Sequence, residues 1–339
     1  MSNQPIEKAK INTVLVTGDV TVDHYLYQGE RLSSHKSDLR GAKLVREKGG
    51  AFMTYQILSQ LITDKADTIK LYCDNNEDNK EKCLISYSLW KPYSSENKKD
   101  ENVIWRMFNE LGYGDTLCSE KEDKSNKSSD KIEQQIPNPT ILVLDDAGFT
   151  FRSLSKSNNW HLSNNLDWIV LKMSQPIATG DLWCELVDKY ADKLITIISA
   201  DELRAEDYKI ARGFSWEQTI EDTLNVINSN SKFQSLRKSR HLIISYTNDA
   251  ALWFDCQDKI KFLCHASMAE SEWANKIEGK AFGYMSCLTA GVVNKLIGTN
   301  PKGSNPDIAT GIEAGLSAMR NLLECGHGVM KKEEQPNGF

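Results

Sequence analysis

From residue 140 onward, short apolar runs alternate with polar breaks and with longer helical stretches. Residues 140–144 form a hydrophobic run that ends in Asp145-Asp146-Ala147-Gly148, and residues 168–171 form another that ends in Lys172-Met173-Ser174. Two more runs, 194–198 and 241–245, end in Ser199-Ala200-Asp201-Glu202 and in Tyr246-Thr247-Asn248-Asp249. Between them, residues 182–190 and 216–227 read as helices. Apolar strand, polar loop and helix in repetition predict an α/β protein with a mostly parallel sheet and crossover helices. Sheets of that kind place ligands at the carboxyl ends of their strands. Here those ends carry Asp23, Asp145, Asp146, Lys172, Asp201, Thr247 and Asn248.

The first part of the chain is less regular. Residues 12–16 read as a buried strand, and Val14, Val16, Val20 and Val22 alternate with polar residues, which predicts strand continuing past a bulge at Gly18. Residues 30–48 are highly charged and read as a lid, an exposed hairpin or simply a solvated face. Gly49-Gly50 closes that insert and opens a helix over 51–62. A strand at 69–73, an acidic break at 74–82, a strand or irregular edge at 85–93 and a short helix at 102–111 follow. Residues 115–139 are dominated by Glu, Lys, Ser, Asp and Asn and read as a disordered loop. Residues 250–254 and 261–264 are expected to pair as a β-hairpin.

Two small-residue helices end the pattern. Residues 277–296 read as a glycine-punctuated turn running into an apolar helix, with Gly279, Gly283, Ser286, Ala290 and Gly291 recurring through it. Such glycines let backbone approach either a phosphate or a neighbouring helix. Residues 307–325 form the second helix.

Bulk properties narrow the possibilities. Among 339 residues, 41 basic and 47 acidic side chains give a net charge of −6, which argues against nucleic acid or anionic membrane as a partner. No apolar run approaches the roughly 20 residues of a membrane span, and the start, MSNQPIEKAK, lacks the apolar core of a signal peptide. Eight scattered cysteines without CxxC spacing fit reduced thiols in a cytoplasmic protein better than disulfides or zinc. There is no Gly-x-x-x-x-Gly-Lys-Ser/Thr phosphate loop, no Gly-x-Ser-x-Gly and no metal-ligand spacing among the histidines.

Individual residues leave two readings each. Asp145-Asp146 fits a magnesium or hydroxyl site, or a polar turn capping the next segment. Lys172 fits a phosphate ligand or a snorkelling surface lysine. Asp201-Glu202 fits a metal site or a helix cap. Ser215 is placed to cap the helix that begins at Trp216, with Arg212 a candidate phosphate ligand.

The order of these parts resembles the ribokinase-like (PfkB-type) sugar and nucleoside kinases. The resemblance rests on Gly18-x-x-x-x-Asp23, on Gly49-Gly50 opening a helix, on YTNDAALWF over 246–254, and on the two closing small-residue helices. It implies a ribokinase-like three-layer sandwich, a single domain over 1–330 with a tail at 331–339, and ATP or a related nucleotide as ligand, with magnesium as a candidate co-ligand. It places a small polyol or nucleoside at Asp23, Gly49 and Gly50, and the nucleotide at Thr247, Asn248, Gly279, Gly283 and Ser286. The family's Gly-Ala-Gly-Asp, whose Asp takes the proton from the substrate hydroxyl, has no counterpart in Ala281-Phe282-Gly283-Tyr284-Met285-Ser286. The family's Asn-x-x-Glu magnesium motif is only echoed by Asp201-Glu202-Leu203-Arg204.

The implied function is therefore a nucleotide-binding, regulatory or catalytically altered relative of these kinases. Two alternatives stand beside it. One is an active small-molecule kinase using Asp23, Asp145 or Asp146 as base, and the other is an interaction scaffold. A homodimer or a protein partner is compatible with each. The stretches LDDAGFTFR, WIVLKMSQP and RGFSWEQTIEDT also resemble the kinase-like part of bacterial proteins that carry ryanodine-receptor-type repeats.

Overall fold

Strands that are apolar on both faces are stable only when both faces are covered, and the computed structural model has that arrangement. It describes residues 12–27, 43–62, 69–72, 82–90, 104–113, 139–146, 162–173, 180–200, 203, 216–246, 250–256, 283–301 and 306–325. In chain order the strands are β1 (Asn12–Tyr27), β2 (Lys43–Gly50), β3 (Ile69–Tyr72), β4 (Lys82–Trp90), β5 (Ile104–Tyr113), β6 (Ile141–Asp146), β7 (Trp168–Met173), β8 (Leu194–Ser199), β9 (His241–Tyr246) and β10 (Ala250–Asp255). The helices are α1 (Ala51–Leu61), α2 (Asp181–Lys189), α3 (Trp216–Ser229), the single turn α4 (Ser231–Gln234), α5 (Tyr284–Leu296) and α6 (Ile308–Cys325).

The main sheet runs β3-β1-β6-β7-β8-β9-β10. All of its strands are parallel except β10, which returns antiparallel on β9. Every residue of β6, β7, β8 and β9 is buried. Alternate side chains go to opposite faces. Val14, Val16, Ile141, Val143, Val170, Ile195, Ile197 and Ile243 pack with α1, α5 and α6. Leu15, Leu142, Leu144, Ile169, Leu171, Leu194, Ile198 and Ile244 pack with residues of α2, α3 and α4. The result is the three-layer α/β sandwich expected from the strand pattern. Among the described residues, no helix is long and apolar enough to cross a membrane.

β1 serves two sheets. Its first half pairs in parallel with β3 and β6, and its second half pairs antiparallel with β2 and β5, against which β4 is added. The charged insert therefore ends in a strand, β2, that forms an antiparallel pair with β1. The bulge expected at Gly18 lies further on, between Val20 and Thr21 on the β5 side.

One local expectation is corrected, and another falls partly outside the described residues. The helix expected over 102–111 is strand β5, paired on both sides by β1 and β4. Its Ile, Trp and Phe suit a pleated surface, and ladder pairing overrides an apolar spacing that also fits a helix. The strand after β9 finds its partner in β9 itself, Ala250 lying opposite Tyr246; residues 261–264 lie outside the described residues. So do residues 115–138 of the expected loop, residues 30–42 of the insert and the tail at 331–339.

Helices α5 and α6 cross backbone to backbone. A Cβ added at Gly291 would lie 2.3 Å from the Gly315 nitrogen, and one added at Gly315 would lie 2.7 Å from the Leu288 Cα. Gly291→Val should therefore destabilise the fold by about 3 kcal/mol through overpacking, read as a lower denaturant midpoint; an unchanged midpoint contradicts this packing.

Asp307 precedes α6 and accepts from the Thr310 backbone N–H at 3.0 Å and the Thr310 hydroxyl at 2.6 Å. The Thr310 side chain first, then its amide, holds this carboxyl below its ordinary range. Asp307→Ala should cost about 1 kcal/mol at neutral pH. Because the folded value lies below the unfolded one, that stabilisation is present above about pH 4 and is lost as pH falls through the folded value. The gap in stability between parent and variant should thus close in acid, which a pH series of urea unfolding curves would test.

Candidate functional site

In parallel register, β6 and β7 place Asp145 directly beside Lys172. Asp145 is fully buried and Lys172 is 7% exposed. The Lys172 ammonium donates to both carboxylate oxygens, at 3.1 Å to Oδ1 and 2.8 Å to Oδ2. A third bond goes to Ser286 Oγ at 3.0 Å. An ammonium has three protons, so these three bonds account for all of them.

The other two members come from helix starts. Thr54, in the first turns of α1, donates to Asp145 Oδ2 at 2.7 Å. Thr54 and Ser286 hydroxyls lie 3.0 Å apart. Because the Thr54 proton goes to the carboxylate, Ser286 supplies the proton between the two hydroxyls. The ring Lys172, Ser286, Thr54, Asp145 thus ties two adjacent strand ends to two helices drawn from opposite parts of the sequence. A helix N-terminus carries partial positive charge and repels an ammonium. The Asp145 carboxylate, facing both the lysine and the helix starts, offsets that repulsion.

Two glycines permit the geometry. Gly18 has φ 134° and stands opposite Asp145 in the β1–β6 register. A Cβ there would fall 2.1 Å from the Asp145 carbonyl oxygen, so no other residue fits. Gly283 precedes α5 with φ 71°, in the left-handed region, and no side chain caps the helix there. The Ser286 hydroxyl brings the first turn of that helix against the Lys172 ammonium at the carboxyl end of β7.

Some of the expected site residues fall among the described residues and some do not. Asp145 and Ser286 meet through Lys172 and Thr54, and Gly283 adjoins them at the start of α5. Asp146 is buried at the end of β6, so it is a strand residue and not part of a turn. Lys172 is not a snorkelling surface residue, and its three donors are already engaged inside the protein. Gly49 lies opposite Thr21, and Gly50 opposite Val20, where β2 passes directly into α1. Asp23 stands in the antiparallel half of β1, opposite Glu47 and Phe108, roughly 16 Å of extended strand beyond Gly18. Thr247, Asn248, Gly279, Asp201, Glu202, Arg212 and Ser215 lie outside the described residues.

Three features went unread in the sequence. Thr54 carries no motif, being one polar residue in an apolar helix. The Asp145–Lys172 pair had a usable signal: ILVLDD and WIVLKM carry their first charge at the same position, which parallel alignment brings together. Buried Asp19, next to Gly18, was missed as well. Cys287 adjoins Ser286 but is no nucleophile, since burial pushes its thiol up to about 12 despite the opposing influence of Lys172. Among the described residues, no group of three or more His, Cys, Asp or Glu could hold a metal ion.

Lys172→Met should cost about 3–5 kcal/mol, because it strands a buried carboxylate. Lys172→Met combined with Asp145→Leu should recover most of that loss, since an apolar pair of similar volume carries no desolvation cost. Chemical denaturation of the parent, the single and the double variant tests both statements.

No family model matches the chain, and no curated protein matches it by sequence. Solved structures do share its course. Ribokinase from Cryptococcus neoformans var. grubii serotype A in complex with ADP is 12% identical over 92% of this chain and 93% of its own, with a TM-score of 0.44. Adenosine kinase from Schistosoma mansoni in complex with 2-fluoroadenosine is 10% identical over 97% of this chain and 100% of its own, at 0.45. Phosphofructokinase-2 from Escherichia coli in complex with substrates and products is 11% identical over 91% and 93%, at 0.41. These are likenesses of low identity and partial superposition; the fold assignment here rests on the strand order and register.

Proposed function

We propose that the chain binds ATP or a related nucleotide at the carboxyl edge of its main sheet and uses that binding for regulation, with phosphoryl transfer altered or lost. The observation that carries this reading is the state of Asp145. It is the carboxylate beside the α5 N-terminus, and it accepts from both Lys172 and Thr54. A general base must present an open lone pair to the substrate hydroxyl, and on Asp145 the Lys172 ammonium and the Thr54 hydroxyl take up both carboxylate oxygens. Phosphoryl transfer otherwise depends on positioning and charge stabilisation, so the arrangement favours holding a nucleotide over turning it over.

The amides after Gly283 supply what an anion needs: donors, positive helix polarity and no side-chain cap. Thr247, Asn248 and Gly279 are assigned to the same nucleotide through the motif order. Gly49, Gly50 and Asp23 sit on the strands and turn leading into α1, and under this reading they meet a small polyol or nucleoside. Closure of the small sheet around both ligands is the regulatory output.

Thermal unfolding with ATP, ADP and AMP, each with and without magnesium, tests the proposal. A nucleotide at 100 times its dissociation constant should stabilise by about 2.7 kcal/mol, a shift of several degrees for a chain of this size. ATP incubated with candidate alcohols should show no turnover above background. Absence of a shift with every nucleotide would overturn the reading, and so would ATP turnover abolished by Asp145→Asn.

A further inference from the structure

The ribokinase-like resemblance brings magnesium with the nucleotide, and the Asp145 carboxylate is the natural place to test whether the metal fits. Magnesium requires near-octahedral oxygen ligands at about 2.0–2.1 Å and is held through one or two carboxylates. Lys172 Nζ lies 3.1 and 2.8 Å from the two Asp145 oxygens, which is where a cation shared by both would sit. Thr54 occupies a further acceptor direction on Oδ2.

The ammonium is anchored in place. It is buried, it belongs to a central strand, and its third bond anchors it on Ser286 in the first turn of α5. A divalent ion brought to this carboxylate would meet a fixed positive charge across a few ångströms of poorly solvated space. The donor set therefore does not fit magnesium at Asp145.

We infer that Lys172 is a tethered cation in place of a metal at this carboxylate, so that the site takes nucleotide without magnesium bridging to Asp145. The lysine neutralises the buried carboxylate and, through Ser286, fixes the start of α5 where the phosphates are received. It acts through those two residues and is a positioning residue. This inference rests on the nucleotide reading above, and it goes further in specifying the ionic form of the ligand.

The test is calorimetric titration of the full chain with ATP, first in magnesium and then in EDTA. The affinity should agree within about threefold between the two buffers. A loss of about tenfold or more in EDTA overturns the inference and leaves the nucleotide reading standing, with the metal then placed at Asp145 in spite of the lysine. No heat of binding in either buffer overturns both.

A second arm needs no nucleotide. Lys172→Met takes the fixed cation away from the carboxylate and the two hydroxyls, so its unfolding temperature should rise with added magnesium while that of the parent stays constant. A purely structural lysine would produce no such gain in metal response. A rise in the parent, or none in the folded variant, counts against the inference. Where the variant fails to fold, the titration of the parent decides alone.

Discussion

A carboxylate taken out of water at the end of a buried strand requires a counter-charge, and Asp145 obtains one from the residue beside it in the next strand. Removing an ion from water costs several kcal/mol even after relaxation, which a single hydrogen bond does not offset. Asp145 therefore depends on Lys172, on Thr54 and on the register that sets β6 against β7. A one-residue slip of either strand would send its charge to the opposite face of the sheet, into the leucines and isoleucines that pack against α2 and α3, and leave the other charge unpaired. The pair thus specifies register and fastens two helices at once.

The close approach of β1 to β6 follows from the same place. Gly18 lets the Asp145 main chain come within a distance that any Cβ would block. β1 then leaves the parallel sheet and becomes the centre of the antiparallel one. Whatever binds near Asp23 or Gly49-Gly50 is consequently linked to the Asp145 strand by continuous, hydrogen-bonded backbone. Such a link transmits position better than a loop would, which suits the proposed output, a change of shape.

Much of this was legible in the sequence because burial on both faces leaves a plain record. β6, β7, β8 and β9 are runs of Ile, Leu and Val with polar residues just beyond, and the expected edges fall within a residue or two of the observed ones. β5 was not legible, since its apolar positions fit a helix as well as a strand and only pairing with β1 and β4 decides between them. The small residues before and within α5 carried two meanings. Gly291 belongs to packing against Gly315, Gly283 belongs to the left-handed start of the helix, and Ser286 belongs to the charged ring. A one-dimensional spacing cannot separate these roles, because they are set by what lies across from each residue. Lys172 was misread for a related reason: a lysine near a strand end is usually solvated, and its burial follows from a helix that arrives more than a hundred positions later in the chain.

The chemistry of the proposed site follows from saturation. An enzyme that transfers a phosphoryl group needs a partner whose hydrogen bonding changes along the reaction, so that it can accept a proton as charge moves. In the ring of Asp145, Lys172, Ser286 and Thr54, the ammonium protons and both hydroxyl protons already have acceptors. A substrate hydroxyl brought to Asp145 would have to displace the ammonium and leave it buried beside the positive end of α5, unfavourable surroundings in which to strand it. The same saturation does not impede binding, since an anion would draw on the backbone amides after Gly283, which lie outside the ring. A fixed, fully paired set of side chains beside the start of a helix is an arrangement suited to recognising charge. On that physical ground, binding coupled to a conformational signal accounts for these residues better than catalysis does.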